Sequence, residues 1–256
     1  MVGTVPEGAL TRIRPVPHST LRIFVLHHAG GSHLGYRGWV RHFPADWEVC
    51  LLDAPGRARR IEAEPLRDAG ALADHLCEVV RPELDRPYAL FGHSMGALVA
   101  YEMTRRLTDT PPIWLGASAW SPTPGAERRR PRHLFSAEGL REVIVRMGGT
   151  PRSALEDPDL WSYVEPLMRA DLELVDTWNP DPRAAPLTVP VSVFGGADDQ
   201  GMPPERLSGW ADHVEGDIRH HTLPGGHFYF TGRTGALVER ITEDIRSVLR
   251  RAPGRV

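Results

Sequence analysis

The chain has 256 residues, 41% of them hydrophobic and 25% charged, with a formal net charge of −3. Those values describe one folded domain, or at most two, and exclude a disordered chain. With 30 basic side chains against 33 acidic ones, they also exclude the basic field of a nucleic-acid binder.

In chain order, the opening segment Met1 to Thr20 has no apolar core of signal-peptide length. No later apolar run approaches the roughly 20 residues that cross a bilayer, so a cytoplasmic chain without membrane contact is expected. Leu21 to Leu26 ("LRIFVL") and Val49 to Leu52 are short β-branched or aromatic runs bounded by turn residues, as buried strands are. Leu72, Leu76, Val79 and Val80 then share one helical face. Further strand runs are Tyr88 to Phe91, Ile113 to Ala119, Val189 to Phe194 and Ile218 to Leu223, and a C-terminal helix aligns Leu237, Ile241, Ile245, Val248 and Leu249. Strand alternating with helix predicts an α/β fold, a mostly parallel sheet covered on both faces, in one domain over residues 1–256. Cys50 and Cys77, the only cysteines, lie in apolar patterns and are expected as buried free thiols, which suits a reducing compartment.

One interval breaks the rhythm. Ser121 to Thr188 separates two strand candidates by far more than the dozen or so residues of a parallel crossover. It opens with the Pro- and Arg-rich "SPTPGAERRRPRH", continues in helical stretches around Leu134 to Met147, Asp159 to Tyr163 and Glu165 to Trp178, and closes in "NPDPRAAPLTVP". An inserted helical lid over residues 122–186 is expected above one end of the sheet.

Chemistry concentrates in "YALFGHSMGALVAYEM". Gly92, Ser94 and Gly96 stand where a strand run stops and a helical pattern starts, which is the context a nucleophile elbow needs. A serine hydroxyl needs a base within hydrogen-bond reach, and the base needs an orienting acid. Of the twelve histidines, His93 adjoins Ser94, but neighbouring side chains diverge at a sharp elbow, so it reads as a packing residue. His227 in "LPGGHFYF" follows the last strand, at the sheet end where open α/β folds gather ligands. For the acid, "GGADD" offers Asp198 and Asp199; Asp198 is the expected member of the triad, and Asp199 is the alternative.

Oxyanion donors are expected from the backbone N–H groups of Met95, the residue after the serine, and Ala29 in "HHAGGS". The rival readings of that loop are a metal site of His27, His28 and His33 or a phosphate-binding glycine loop. The first lacks carboxylate companions at ligand spacing, and the second lacks a P-loop's Lys and Ser/Thr.

The segments "HHAGGS", "APGRARR", "YALFGHSMGA", "GGADD" and "GGHFYF", in order and spacing across nearly the whole chain, resemble the stand-alone type II thioesterases that accompany polyketide and non-ribosomal peptide synthases. Leu26, His27 and His28 depart from the family's usual apolar residue and proline before Ala-Gly-Gly, and "LLDA" from its lead into Pro-Gly-Arg. The resemblance implies an α/β-hydrolase fold. It implies hydrolysis of acyl groups from the phosphopantetheine arm of an acyl or peptidyl carrier protein, by a monomer without metal or other cofactor. Leu155, Trp161, Leu167, Met168, Leu172 and Trp178 of the expected lid are then candidates for walling the acyl chain, or for the lid's own core. Arg128, Arg129, Arg130 and Arg132 are candidates for meeting an acidic carrier protein. The same triad would serve a general carboxylesterase or lipase, or an acyltransferase or cyclase. A non-catalytic carrier-protein binder would have no need of it.

Overall fold

The computed structural model describes residues 8–123, 130–150 and 152–251. Arg128 and Arg129 lie outside these residues. The centre is a seven-stranded sheet in the order β1-β3-β2-β4-β5-β6-β7. Strands β2 (Leu21–Leu26), β3 (Trp47–Leu52), β4 (Tyr88–His93), β5 (Trp114–Ser118), β6 (Val191–Gly196) and β7 (Ile218–Leu223) are mutually parallel. Every residue of β2 through β6 is buried, because helices cover both faces and strand alternation has no wet side to mark. β7 at the edge alternates between half-buried and exposed positions. β1 (Leu10–Arg12) pairs antiparallel with β3; at three residues it is too short for a period to show in the sequence.

One face of the sheet is covered by α1 (Ala69–Val80) and α2 (Met95–Arg106), whose buried side chains join one core cluster with Leu26, Leu90 and Leu115. The Asp68 carboxylate caps α1 by accepting the Ala71 amide at 2.8 Å. The other face carries α7 (Thr234–Arg251), through Leu237, Val238, Ile241 and Ile245, together with Tyr36, Trp39 and Val40 of the 3-10 segment His33–His42. Cys50 and Cys77 are free and buried, and burial pushes their thiols up to about 12 and about 11.

Between β5 and β6 stand α3 (Ala137–Met147), α4 (Arg152–Glu156) and α5 (Pro158–Thr177). The two helical stretches expected at Asp159–Tyr163 and Glu165–Trp178 are one 20-residue helix that runs through Pro166. The proline removes the amide that would have bonded the Ser162 carbonyl, but burial of Trp161 before it and of Leu167 and Met168 after it holds both halves in line. Its start is set by Asp157, which accepts the Asp159 and Leu160 amides.

Arg132 is not a free surface cation. Its amide and guanidinium bind the buried Asp176 carboxylate at the end of α5, with Nε donating to Oδ1 at 2.9 Å. Arg130 is exposed and lies 5.6 Å over the Phe135 ring. A short helix α6 (Pro204–Leu207), which the sequence reading does not anticipate, follows β6.

The parallel register sets Leu26 opposite Gly92 and His93 opposite Ser118. The loops after β2, β4, β6 and β7 therefore open at one end of the sheet. This alignment depends on close contact between α2 and β2: a Cβ on Gly96 would stand 2.4 Å from the Leu26 carbonyl oxygen and 2.7 Å from that of His27. Replacing Gly96 by alanine should lower stability by about 1–3 kcal/mol through overpacking. Chemical denaturation of Gly96→Ala beside wild type checks it, and an unchanged midpoint would refute the close-contact account.

Candidate active site

Strand β4 passes into α2 through Ser94, which has φ 56° and ψ −118°, a region that residues with a side chain rarely occupy. Two contacts force the turn. The Ser94 amide donates to the Ser118 carbonyl at 2.7 Å, and a Cβ on Gly92 would stand 2.0 Å from the Gly96 carbonyl oxygen. A serine preceding a helix commonly caps it, but the Ser94 side chain makes no capping bond. Its Oγ lies 3.0 Å from Nε2 of His227 instead.

His227 follows β7, and its Nδ1 is 2.7 Å from Oδ2 of Asp199. An ionised carboxylate only accepts, so Nδ1 carries the proton and Nε2 offers its lone pair to the Ser94 hydroxyl. The acid facing His227 is thus Asp199 and not Asp198, the expected residue. The reason lies in the turn after β6. The Asp198 amide continues the β6–β7 ladder by donating to the Gly225 carbonyl at 2.9 Å, and its side chain remains exposed. The Asp199 amide turns back to the Gly196 carbonyl, which swings the next carboxylate inward, where it is 4% exposed. The other oxygen of Asp199 accepts the Gly201 and Met202 amides at 2.9 and 3.0 Å. Burial alone would raise this carboxyl; the bonds from His227 and the two amides outweigh it and hold the group below its ordinary value.

Met95, the first residue of α2, and Ala29, in the loop after β2, have amides without a backbone acceptor among the described residues. That loop turns between His28 and Gly31, the Gly31 amide donating to the His28 carbonyl at 2.9 Å, and Gly30 takes φ +72°. A positive φ at the third residue of such a turn is the type II signature and favours glycine. The Gly30 amide donates at 2.7 Å to Oδ2 of Asp171, on α5. Asp171 is in turn held bidentately by Arg57, from the segment after β3, at 2.8 Å on each oxygen. Arg57 also donates to the Gly31 and Pro55 carbonyls. Both partners are about 2% exposed or less.

The three histidines of the rival metal reading diverge. His27 accepts the Ala54 amide on Nε2 and donates from Nδ1 to the His28 carbonyl. His28 reaches the Tyr36 hydroxyl, and His33 pairs with buried Asp53. His93 is fully buried beside His227, their ring centroids 5.1 Å apart, and its Nδ1 meets the Ser118 hydroxyl. Phe228 lies edge-on to both His28 and His227. Burial, aided by neighbouring cationic groups, lowers His27 and His93 well below the ordinary histidine range and His28 to about 4.

Of the six candidate wall residues, Met168 is placed against the loop after β2: its methyl occupies the space a Cβ on Gly30 would need. Leu155, Trp161, Leu167 and Leu172 are buried, Trp161 under the Arg141 guanidinium. Trp178 joins the insertion to α2, with Nε1 donating to Glu102 and its ring against Tyr101 and Trp120. Arg57 and Asp171 were not singled out from the sequence. A signal exists for the second, a lone acid three residues after Met168 and four before Val175 on the apolar face of a helix.

Two outcomes follow from this geometry. Asp199→Asn should lower kcat for any reaction through Ser94 by about 10³–10⁴-fold, since an amide no longer fixes the histidine tautomer. Asp198→Asn should stay near wild type; equal losses in steady-state kinetics would refute the assignment. Second, the unfolded state gains protons on His27, His28 and His93 near pH 6.5 while the folded state does not. Stability is therefore full above that pH and falls towards pH 4, by up to about 1.4 kcal/mol per pH unit for each histidine. Denaturation midpoints from pH 7 to 4.5 check this, and His28→Phe should flatten the slope.

The chain matches the family described as "Thioesterase domain" over residues 21–245. It is 28% identical to the gramicidin S biosynthesis protein GrsT of Aneurinibacillus migulanus, over 90% of each chain. Among solved structures it is similar to the RedJ thioesterase from the prodiginine pathway of Streptomyces coelicolor, with TM-score 0.81, 31% identity and coverage of 88% of this chain and 86% of that one. It is also similar to the type II thioesterase BorB from the borrelidin biosynthetic cluster, with TM-score 0.81, 30% identity and coverage of 93% and 97%. With its sheet, elbow and loops in the arrangement of the α/β-hydrolase fold, the chain belongs to the thioesterase family, among the type II thioesterases of polyketide and non-ribosomal peptide pathways, and is a hydrolase acting on thioester bonds.

Proposed function

We propose that this thioesterase releases acyl groups from the phosphopantetheine arm of acyl or peptidyl carrier proteins, clearing stalled or wrongly primed chains, and that Ser94, His227 and Asp199 carry the reaction. The observation behind this reading is the unbroken hydrogen-bond chain from Ser94 Oγ through the imidazole to Asp199, within a family of thioesterases.

In the first half-reaction Ser94 Oγ attacks the thioester carbonyl and His227 Nε2 takes its proton. The carbonyl oxygen becomes an oxyanion, met by the Met95 and Ala29 amides and by the positive end of α2, which begins at Met95. Collapse breaks the carbon–sulfur bond, and the imidazolium returns its proton to the departing thiolate. Water then repeats the sequence on the acyl-enzyme: His227 takes a water proton, hydroxide adds to the ester carbonyl, and Ser94 leaves protonated with the free acid. Asp199 stays ionised throughout and stabilises the imidazolium. No metal or other cofactor enters these steps; phosphopantetheine comes with the substrate.

The inserted helices serve in this reading as a lid, and a long thin arm suits a nucleophile beneath them. Met168, whose methyl lies against Gly30, is a lid side chain that would touch the acyl group. The protein acts as a cytoplasmic monomer. Among the described residues no helix is long and apolar enough to cross a membrane, and no group of three or more His, Cys, Asp or Glu side chains is placed to hold a metal ion.

Intact-protein mass spectrometry of an acyl-loaded carrier protein tests the reading. Incubation with wild type should convert the acyl carrier to free thiol with release of the carboxylic acid, and Ser94→Ala should leave it loaded. Acyl loss without free acid would replace hydrolysis by transfer. A loaded carrier beside cleaved simple esters would replace it by a general esterase.

A further inference from the structure

We propose that the buried Asp171–Arg57 pair is a positioning device that holds the oxyanion loop in its working form from the lid side. The proposal rests on the thioesterase reading of Ser94 given above.

The turn His28–Gly31 contains glycines at its third and fourth positions, so its central peptide can face either way at little cost. A type II turn and a type I turn differ by a flip of that peptide, which joins Ala29 to Gly30. In the present form the Gly30 amide points at Asp171 Oδ2. After a flip the Ala29 carbonyl would point there, oxygen against a buried carboxylate. The lid carboxylate thereby selects one form of the turn and ties it to α5, and with it is held the preceding His28–Ala29 peptide, whose Ala29 amide has no backbone acceptor among the described residues and would be offered to an oxyanion.

Arg57 completes the device in two ways. Its two terminal nitrogens neutralise and orient Asp171, which pairs with no other cation among the described residues, and its contact with the Gly31 carbonyl at 3.3 Å fixes the next residue of the same turn. Met168, one helical turn before Asp171, sits over Gly30. The loop is thus held at Gly30 both by a methyl group and by a carboxylate of α5, the latter fixed by its ion pair. A pair this dry is a poor source of stability compared with apolar side chains of similar size, which makes loop geometry its more direct consequence.

The test uses acyl-pantetheine thioesters, which remove carrier docking from the measurement, with kinetics normalised to titrated active sites. The double variant Arg57→Met/Asp171→Leu replaces the pair by apolar side chains, and Asp171→Asn keeps an acceptor for Gly30 but leaves Arg57 unpaired. In the double variant kcat should fall about 10- to 100-fold with KM within about twofold, the pattern of an interaction realised only in the transition state. Affinity for an acyl aldehyde, which mimics the tetrahedral intermediate, should fall by the same factor. Wild-type kcat and aldehyde affinity in a folded double variant would overturn the proposal.

Amide hydrogen exchange in unaltered protein reads the device without substitution. The Gly30 amide should exchange as slowly as sheet amides, and exchange at the rate of an open loop would overturn the proposal even where the variants fail to fold. If wild type does not cleave the thioester, or Ser94→Ala still does, the reading of Ser94 fails first and the proposal falls with it. An active wild type with an equally active double variant removes the proposal alone.

Discussion

The arrangement of the site depends on one close approach: the first turn of α2 against the end of β2, with Gly96 beneath the Leu26 and His27 carbonyls. Any side chain at that point would push the helix away from the strand. Without the approach, the amide of Met95 and the loop that carries Ala29 would not share a space. The elbow just before Gly96 holds Ser94 at a positive φ, a local cost of about 1–3 kcal/mol that the buried strands on either side sustain. Strain here has a direct geometric product, since the hydroxyl is turned away from capping its helix and towards His227.

Around that point the parallel sheet acts as an alignment device. Residue-by-residue pairing from β2 to β7 brings residues distant in sequence to one edge, and the loops inherit that order. Gly196 sets the last two loops close together, since a Cβ there would meet the Gly225 and Gly226 carbonyls. The chain can then pair Asp198 by its backbone and present Asp199 by its side chain. The rings of His28, His93, Phe228, Tyr229 and Phe230 pack against one another beside His227. With His28 and His93 kept neutral by burial, they add no charge beside it.

The insertion is fastened to the sheet domain by polar contacts of specific partners as well as by its apolar core. Asp171 meets Arg57 and Gly30, the Tyr163 hydroxyl donates to the Gly56 carbonyl, and Trp178 donates to Glu102. All three lie on α5 or at its end. The loop after α3 differs: Gly148 and Gly149 both take positive φ, and a Cβ on either would meet the Phe228 ring. Within one insertion, α5 is bonded to the loop after β2, and Gly148 and Gly149 after α3 face the Phe228 ring.

Much of this was written in the sequence. Short β-branched or aromatic strand runs, helical periodicity and the unusually long interval after Ser121 point to a parallel α/β sheet with a helical insertion, because those patterns follow from burial on two faces. The elbow and its histidine were legible because Gly-His-Ser-Met-Gly joins a strand to a helix and His227 follows the last strand. The tertiary structure decided what depends on a turn of one residue or on contact across the chain. Asp199 rather than Asp198 faces the base because a turn reverses the side chain between neighbours. Arg132 is committed to Asp176, and Pro166 lies within one continuous helix because packing outweighs one lost hydrogen bond. Arg57 and Asp171, 114 positions apart, are joined by burial in a shared dry space, and sequence spacing carries no measure of that distance.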